Sequence, residues 1–354
     1  MTVDRAAARA ASLAAFLKAA GWADARLDWR AGDASFRRYA RLTAPLGQGA
    51  KTAMLMDAPP AKEAVGPFLG VAAILRTAGL SVPAVLAADR AAGFLLLEDF
   101  GDATFTALLE AGRPAEPLYA LATDALIAIR RDVGAPGGLP AYDPGARVRH
   151  LATFLDWLWP EALPPGPTPA QRALFNALWL DALKRAPTLG RGFVHRDFHV
   201  DNLMRLEGRA GVAACGLLDF QDAAHGPFAY DLASLVEDAR RDIAPEVKAA
   251  CIERYRAAFP AHSAAEIAAA LAVHGGQRHA RVAGLWVRLW RRDGKPRYLM
   301  HMQRTWALLE ASLAHPLLGD VRAFLDAAFP ADARKCAIAL AAEAAPGRVR
   351  EPIE

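Results

Sequence analysis

The stretch that decides the reading is His195-Arg196-Asp197-Phe198-His199-Val200-Asp201-Asn202, followed by Leu218-Asp219-Phe220. Asp197 and Asn202 lie five residues apart on one short polar loop, so the chain itself limits their separation. Gly216-Leu217-Leu218 is an apolar run of strand type that delivers Asp219 at its end. The three side chains supply two carboxylates and a carboxamide. A phosphoryl-transfer centre needs such a set: a carboxylate to orient and deprotonate an attacking hydroxyl, and hard oxygen ligands for magnesium on a nucleotide triphosphate. Asp197 is the candidate base, and Asn202 and Asp219 are the candidate metal ligands. His195 reads as a brace of the loop rather than a base. His195, His199 and Asp201 could be taken for a metal set, but the loop motif explains them better.

Working outward, short strand-like runs bracket Asp197: 192–194 before it, 202–205 and 216–218 after it. Upstream, residues 5–21 have helical spacing, and Phe36 to Leu42 and Thr52 to Met56 alternate like strands around a turn at Gly47 and Gly49. A helix over 63–78 closes at Gly79, and strands follow at 82–87 and 93–97. Glu98-Asp99-Phe100-Gly101-Asp102 is a polar break after an apolar strand and reads as a hinge. Beyond it, helices are expected over 104–111, 116–131, 147–158, 170–185, 228–240, 245–258, 264–289 and, with breaks, 298–343. Pro160 to Pro169 reads as a surface loop. The chain is therefore an α+β protein with a small sheet lobe, 1–98, and a larger, mostly helical lobe, 99–354.

Composition narrows the class. The 354 residues are 54% hydrophobic and 23% charged, with net charge +4 and pI near 9.1. That is an ordinary globular balance, long enough for two cores. Basic residues are spread along the chain, which disfavours a nucleic-acid partner. Arg278, Arg281, Arg288, Arg291 and Arg292 suit a pocket for an anionic ligand instead. Cys215, Cys251 and Cys336 are odd in number and have no metal-like spacing, so buried thiols in a reducing cytoplasm are expected. No run has the length of a membrane span, and the Ala-rich N-terminus lacks a signal-peptide core. The oligomeric state is not legible.

The loop with Leu218-Asp219-Phe220-Gln221-Asp222 resembles the aminoglycoside phosphotransferase/choline kinase family. It also fits the catalytic loop of protein kinases, but Asp231 follows Asp219 by only twelve residues. That is too short for an activation loop, and no Ala-Pro-Glu segment follows. Gly32-Asp33-Ala34-Ser35-Phe36-Arg37-Arg38-Tyr39, Met56-Asp57-Ala58-Pro59-Pro60, Phe94 to Gly101, Gln277-Arg278-His279 and Arg291 to Tyr298 resemble one bacterial branch. That branch is the N-acetylmuramate/N-acetylglucosamine anomeric kinases of cell-wall recycling.

The resemblance implies a bilobal protein-kinase-like fold and transfer from ATP, with Mg2+, to the anomeric hydroxyl of the amino sugar. It leaves open which sugar is preferred. It also implies that Asp231 opens a helix and braces the catalytic loop. Ser35 and Phe36 would cover the phosphates, and backbone groups at Glu98, Asp99 and Phe100 would read the adenine. Asp156 and Trp157 suit a pyranose, while Arg281 and Arg288 could meet a lactyl carboxylate. Trp159 or Trp157 is expected in the core, as are Trp286 and Trp290. The chain departs from the wider kinase pattern in having no Gly-x-Gly-x-x-Gly and in placing Met56 where a strand lysine is expected. Arg37, Arg38 and Lys62 remain as alternative cations, with Glu63 as partner. A kinase of another small hydroxyl substrate, such as an aminoglycoside or amino alcohol, and a nucleotide-binding pseudokinase are the competing readings.

Overall fold

The computed structural model describes residues 2–30, 36–45 and 51–343. The turns expected at Gly32–Ser35 and at Gly47 and Gly49 lie outside them. Among the described residues nine strands follow in chain order: β1 Arg26–Trp29, β2 Arg38–Thr43, β3 Thr52–Asp57, β4 Val85–Asp89, β5 Phe94–Glu98, β6 Arg191–Val194, β7 Leu203–Arg205, β8 Cys215–Leu217 and β9 Ala224–Pro227. The chain forms two compact units, both discontinuous: Met1–Arg113 with Val200–Asp222, and Pro114–His199 with Ala223–Glu354. The sequence reading placed one boundary at residue 98; here the chain leaves the first unit after Arg113 and returns to it for 23 residues.

In the first unit, β1 to β5 form an antiparallel sheet in the order β1-β2-β3-β5-β4. Alternation in β2 buries Ala40 and Leu42 against Leu55, Phe94 and Leu96, and Phe16 and Leu17 of the helix Thr2–Ala19 cover them. Strand β1 escaped the sequence reading because it buries little; it is an edge strand held by backbone pairing to β2. Met56 is fully buried. The neighbouring Asp57 is also fully buried, and its charge is met by Arg9, with Nη2 at 2.5 Å, and by Arg38. The helix expected at 63–78 is Gly66–Thr77, closed by Gly79 at φ 75°.

The segment Glu98–Asp102, expected as the hinge, lies within this first unit. Arg41 binds Asp99 at 2.7 Å and Asp102 at 2.6 Å, and Glu98 pairs with Arg209. Val200–Asp222 adds the two-stranded β7-β8 sheet, which is tied to the same unit by bridges from Ser81 to Gly216 and from Thr104 to Met204.

The second unit is mostly helical, with a two-stranded β6-β9 sheet. Its backbone is the 28-residue helix Ala264–Arg291, started by a capping box between Ser263 and Glu266. The helix expected over 147–158 is split into Pro144–His150 and a wider turn at Phe154–Leu158. Asp143 caps the first piece, accepting from the Ala146 amide at 2.7 Å. Gly284 of the long helix lies against the second piece, where a Cβ would sit 2.2 Å from the Thr153 carbonyl. Only a glycine allows the two backbones to meet this closely. Trp159, Trp179, Trp286 and Trp306 are in the core, and Trp157 and Trp290 pack on it half-buried. The loop expected at 160–169 begins after Ala162, where a short helix ends.

Cys215 and Cys251 are buried free thiols, but Cys336 is exposed, against the expectation for all three. Among the described residues no helix is long and apolar enough to cross a membrane.

Candidate active site

Strand β6 carries the chain to His195, where the backbone turns sharply. Arg196 sits at φ 78°, a left-handed conformation unfavourable for a residue with a Cβ. Asp231, in the first turn of the helix Ala229–Val236, holds this turn: its two carboxylate oxygens accept the amides of His195 at 2.5 Å and Arg196 at 2.9 Å. Burial pushes the Asp231 carboxyl up to about 7, opposed by those two amide bonds. The His195 ring is fully buried, edge-on to Phe198.

Asp197 follows within the same unit. Burial would raise its carboxyl, but Arg281, with Arg278 and Arg240, outweighs that and holds it well below the usual carboxylate range. It is therefore ionised at neutral pH. Burial and Arg240 push His199 far down. Arg240 Nη1 donates to His199 Nε2 at 3.1 Å, and a guanidinium cannot accept, so this nitrogen carries no proton.

Arg281 also lines a cleft of about 450 Å³ that lies wholly within the second unit. Five guanidiniums reach it: Arg149, Arg196, Arg281, Arg288 and Arg292. So do His150, Thr153, Asp156 and Trp157, so all four candidate substrate residues share one cavity. Asp156 is paired with Arg172 at 2.7 Å. Burial, reinforced by the arginines, depresses His150 to about 4, so it is neutral. The cleft thus has a surplus of fixed positive charge. Arg292 belongs to the arginine cluster expected to suit an anionic pocket, but Arg149 and Arg196 were not picked out from sequence; only the three-dimensional convergence of the motif with two helices reveals them.

In the first unit, β7 pairs antiparallel with β8, Leu203 opposite Leu217. The ladder continues as the Leu218 amide donates to the Asn202 carbonyl at 2.9 Å, so Asn202 and Asp219 flank the same end of the sheet. Asp219 is at φ 57°, its carboxylate exposed and bonded by Gln221 Nε2 at 2.7 Å. Phe220 beneath it is fully buried against Phe68, with ring centroids 4.8 Å apart. A carboxylate and a carboxamide fit magnesium, whose remaining positions go to phosphate and water oxygens. Among the described residues no three His, Cys, Asp or Glu side chains converge on a metal position.

Arg37 Nε lies 3.1 Å from Glu63 and its Nη2 3.7 Å from Asp219. The Phe36 amide donates to Glu63 Oε1 at 3.0 Å, and the Phe36 ring is exposed. Ser35 lies outside the described residues.

A model of the phosphotransferase enzyme family matches residues 30–271, and the chain belongs to that family. It is 36% identical to the N-acetylmuramate/N-acetylglucosamine kinase of Caulobacter vibrioides, over 92% of this chain and 98% of that protein. It is 40% identical to the enzyme of the same name from Pseudomonas aeruginosa, over 84% of this chain and 87% of that one. Among solved structures, a choline kinase from Streptococcus pneumoniae matches with TM-score 0.58 at 14% identity, covering 83% of this chain and 96% of its own. The Plasmodium vivax ethanolamine kinase matches with TM-score 0.52 at 10% identity, over 83% of each chain. The fold is protein-kinase-like, and the chain is a phosphotransferase.

Proposed function

We propose that this enzyme transfers the γ-phosphoryl group of ATP to the anomeric hydroxyl of N-acetylmuramate and N-acetylglucosamine, yielding the sugar 1-phosphate in peptidoglycan recycling in the cytoplasm. The names of its relatives support the acceptor. The observation that carries the reading is Arg281, which lines the arginine cleft and is the foremost positive charge acting on Asp197. One residue thus links a carboxylate held ionised to a pocket that favours an anionic ligand.

In this reading the sugar occupies the cleft, with Trp157 against the pyranose and Arg288 facing the lactyl carboxylate. Asp197 orients the anomeric hydroxyl and takes its proton as the new O–P bond forms and the bond to the leaving ADP breaks. Asn202 and Asp219 would hold magnesium. When bound, that ion neutralises charge on the phosphates. Asp231 keeps the loop in its left-handed turn, and Glu98, Asp99 and Phe100 offer backbone groups to the adenine.

ATP consumption measured with N-acetylmuramate, N-acetylglucosamine, kanamycin and choline, with products resolved by phosphorus NMR, tests the reading. A sugar 1-phosphate from either amino sugar is expected. Turnover confined to kanamycin or choline would replace the acceptor, although five guanidiniums around the cleft oppose a cationic one. Nucleotide binding without turnover on any acceptor would make the chain a pseudokinase.

A further inference from the structure

The first unit offers three cations near the place where the strand lysine is missing, and their contacts separate them. Arg38 is committed to the buried Asp57, and its guanidinium carbon lies 4.6 Å from the centroid of the Trp29 ring. Lys62 sits over the exposed Phe36 ring, with Nζ 5.1 Å from its centroid. Arg37 is different. Its side chain is only 13% exposed and its fork is split between two carboxylates, Nε on Glu63 and Nη2 toward Asp219. Glu63 is itself fixed through its other oxygen by the Phe36 amide. One end of the contact is anchored. The other lies 3.7 Å from an exposed carboxylate, beyond hydrogen-bond length.

We propose that Arg37 is the phosphate-contacting cation of this enzyme and that it exchanges partners. Without nucleotide it bridges Glu63 and Asp219; with metal and nucleotide on Asp219 it keeps Glu63 and turns its Nη groups to the phosphate oxygens. This rests on the reading of Asp219 as a magnesium ligand. The reason is charge. A divalent ion arriving alone at Asp219 must compete with the guanidinium for the carboxylate and then repels it. An ion arriving with a polyphosphate brings acceptors that the planar fork of an arginine holds well. Arg37 should therefore oppose binding of the metal alone and favour binding of the metal–nucleotide complex.

That opposition of sign gives the test. Binding of Mn2+ alone and of ADP with Mn2+ is measured by calorimetry on the full chain, with no sugar present. In Arg37→Gln, affinity for the ion alone should rise about two- to fivefold, the loss of one ion pair to a solvent-exposed carboxylate. Affinity for the ADP complex should fall about tenfold or more. Arg37→Lys should recover part of the nucleotide affinity. Glu63→Gln, which leaves Arg37 in place but unanchored, should also weaken the ADP complex, and this holds the test if Arg37→Gln folds poorly. Unchanged ADP affinity in both Arg37→Gln and Glu63→Gln would overturn the proposal. So would a parallel loss of ion and nucleotide binding in a folded Arg37→Gln protein. Failure of the underlying reading shows separately, as an unchanged metal dependence of ADP binding in Asp219→Ala.

Discussion

Asp197 combines two properties that a general base for a hydroxyl needs: a fixed place on a braced loop and a negative charge that persists at neutral pH. Asp197→Asn keeps the shape and removes the charge. Turnover should drop by about 10²- to 10⁴-fold while the melting temperature stays near wild type, as steady-state kinetics and circular dichroism would show. Near-normal turnover in the folded variant would remove Asp197 from the role. Asp231 makes a different prediction. Its carboxyl is near 7 when folded and 3.8 when unfolded, so the folded state binds the proton more tightly. The stability this contributes is complete below about pH 4 and is lost as pH rises toward 7, by at most about 1.4 kcal/mol per pH unit. Urea midpoints at pH 5 and pH 7 should decline in the wild type and be flatter in Asp231→Asn; an equal decline in both would rule this out. The spacing of Asp197 and Asn202 could be read directly because it is local along the chain. The arginines that keep Asp197 charged could not, because Arg240, Arg278 and Arg281 reach it from distant segments.

At the scale of elements, the long helix Ala264–Arg291 was legible over 264–289 because helical spacing is a local signal. The break between His150 and Phe154 was not, since it lies where Gly284 brings another helix against the backbone. Gly284→Ala should destabilise the protein by about 1–3 kcal/mol or more, read as a shift in the denaturation midpoint, because neither backbone can yield cheaply. Strands β1 and β9 were missed for a similar reason: one is barely buried, and the other is a four-residue partner of β6 containing Gly226 and Pro227. The same long helix presents Arg288 to the cleft, half-buried. Arg288→Ala should raise KM for N-acetylmuramate about tenfold and leave N-acetylglucosamine nearly unchanged, since only the first carries a carboxylate. Equal losses on both sugars would take Arg288 away from the carboxylate.

For the whole molecule, nucleotide binding should couple to stability. At ADP and magnesium concentrations about a hundredfold above the dissociation constant, the gain is about 2.7 kcal/mol, a rise of a few degrees in Tm by scanning fluorimetry. The rise should depend on magnesium in the wild type and lose that dependence in Asp219→Ala. The two-unit organisation was legible only in outline. The polar break at Glu98–Asp102 suggested a boundary at residue 98, short of Arg113 where the chain leaves the first unit, and the return of Val200–Asp222 to that unit depends on pairings such as Ser81 with Gly216, which no local pattern announces. That interleaving constrains how the gene can be recombined. A single crossover after codon 113 would give a chimera whose first unit is assembled from two parents, with Ser81 and Gly216 coming from different genes. Exchanging that unit intact between relatives takes two separate inserts, and the second of them begins inside the eight-residue motif, between His199 and Val200.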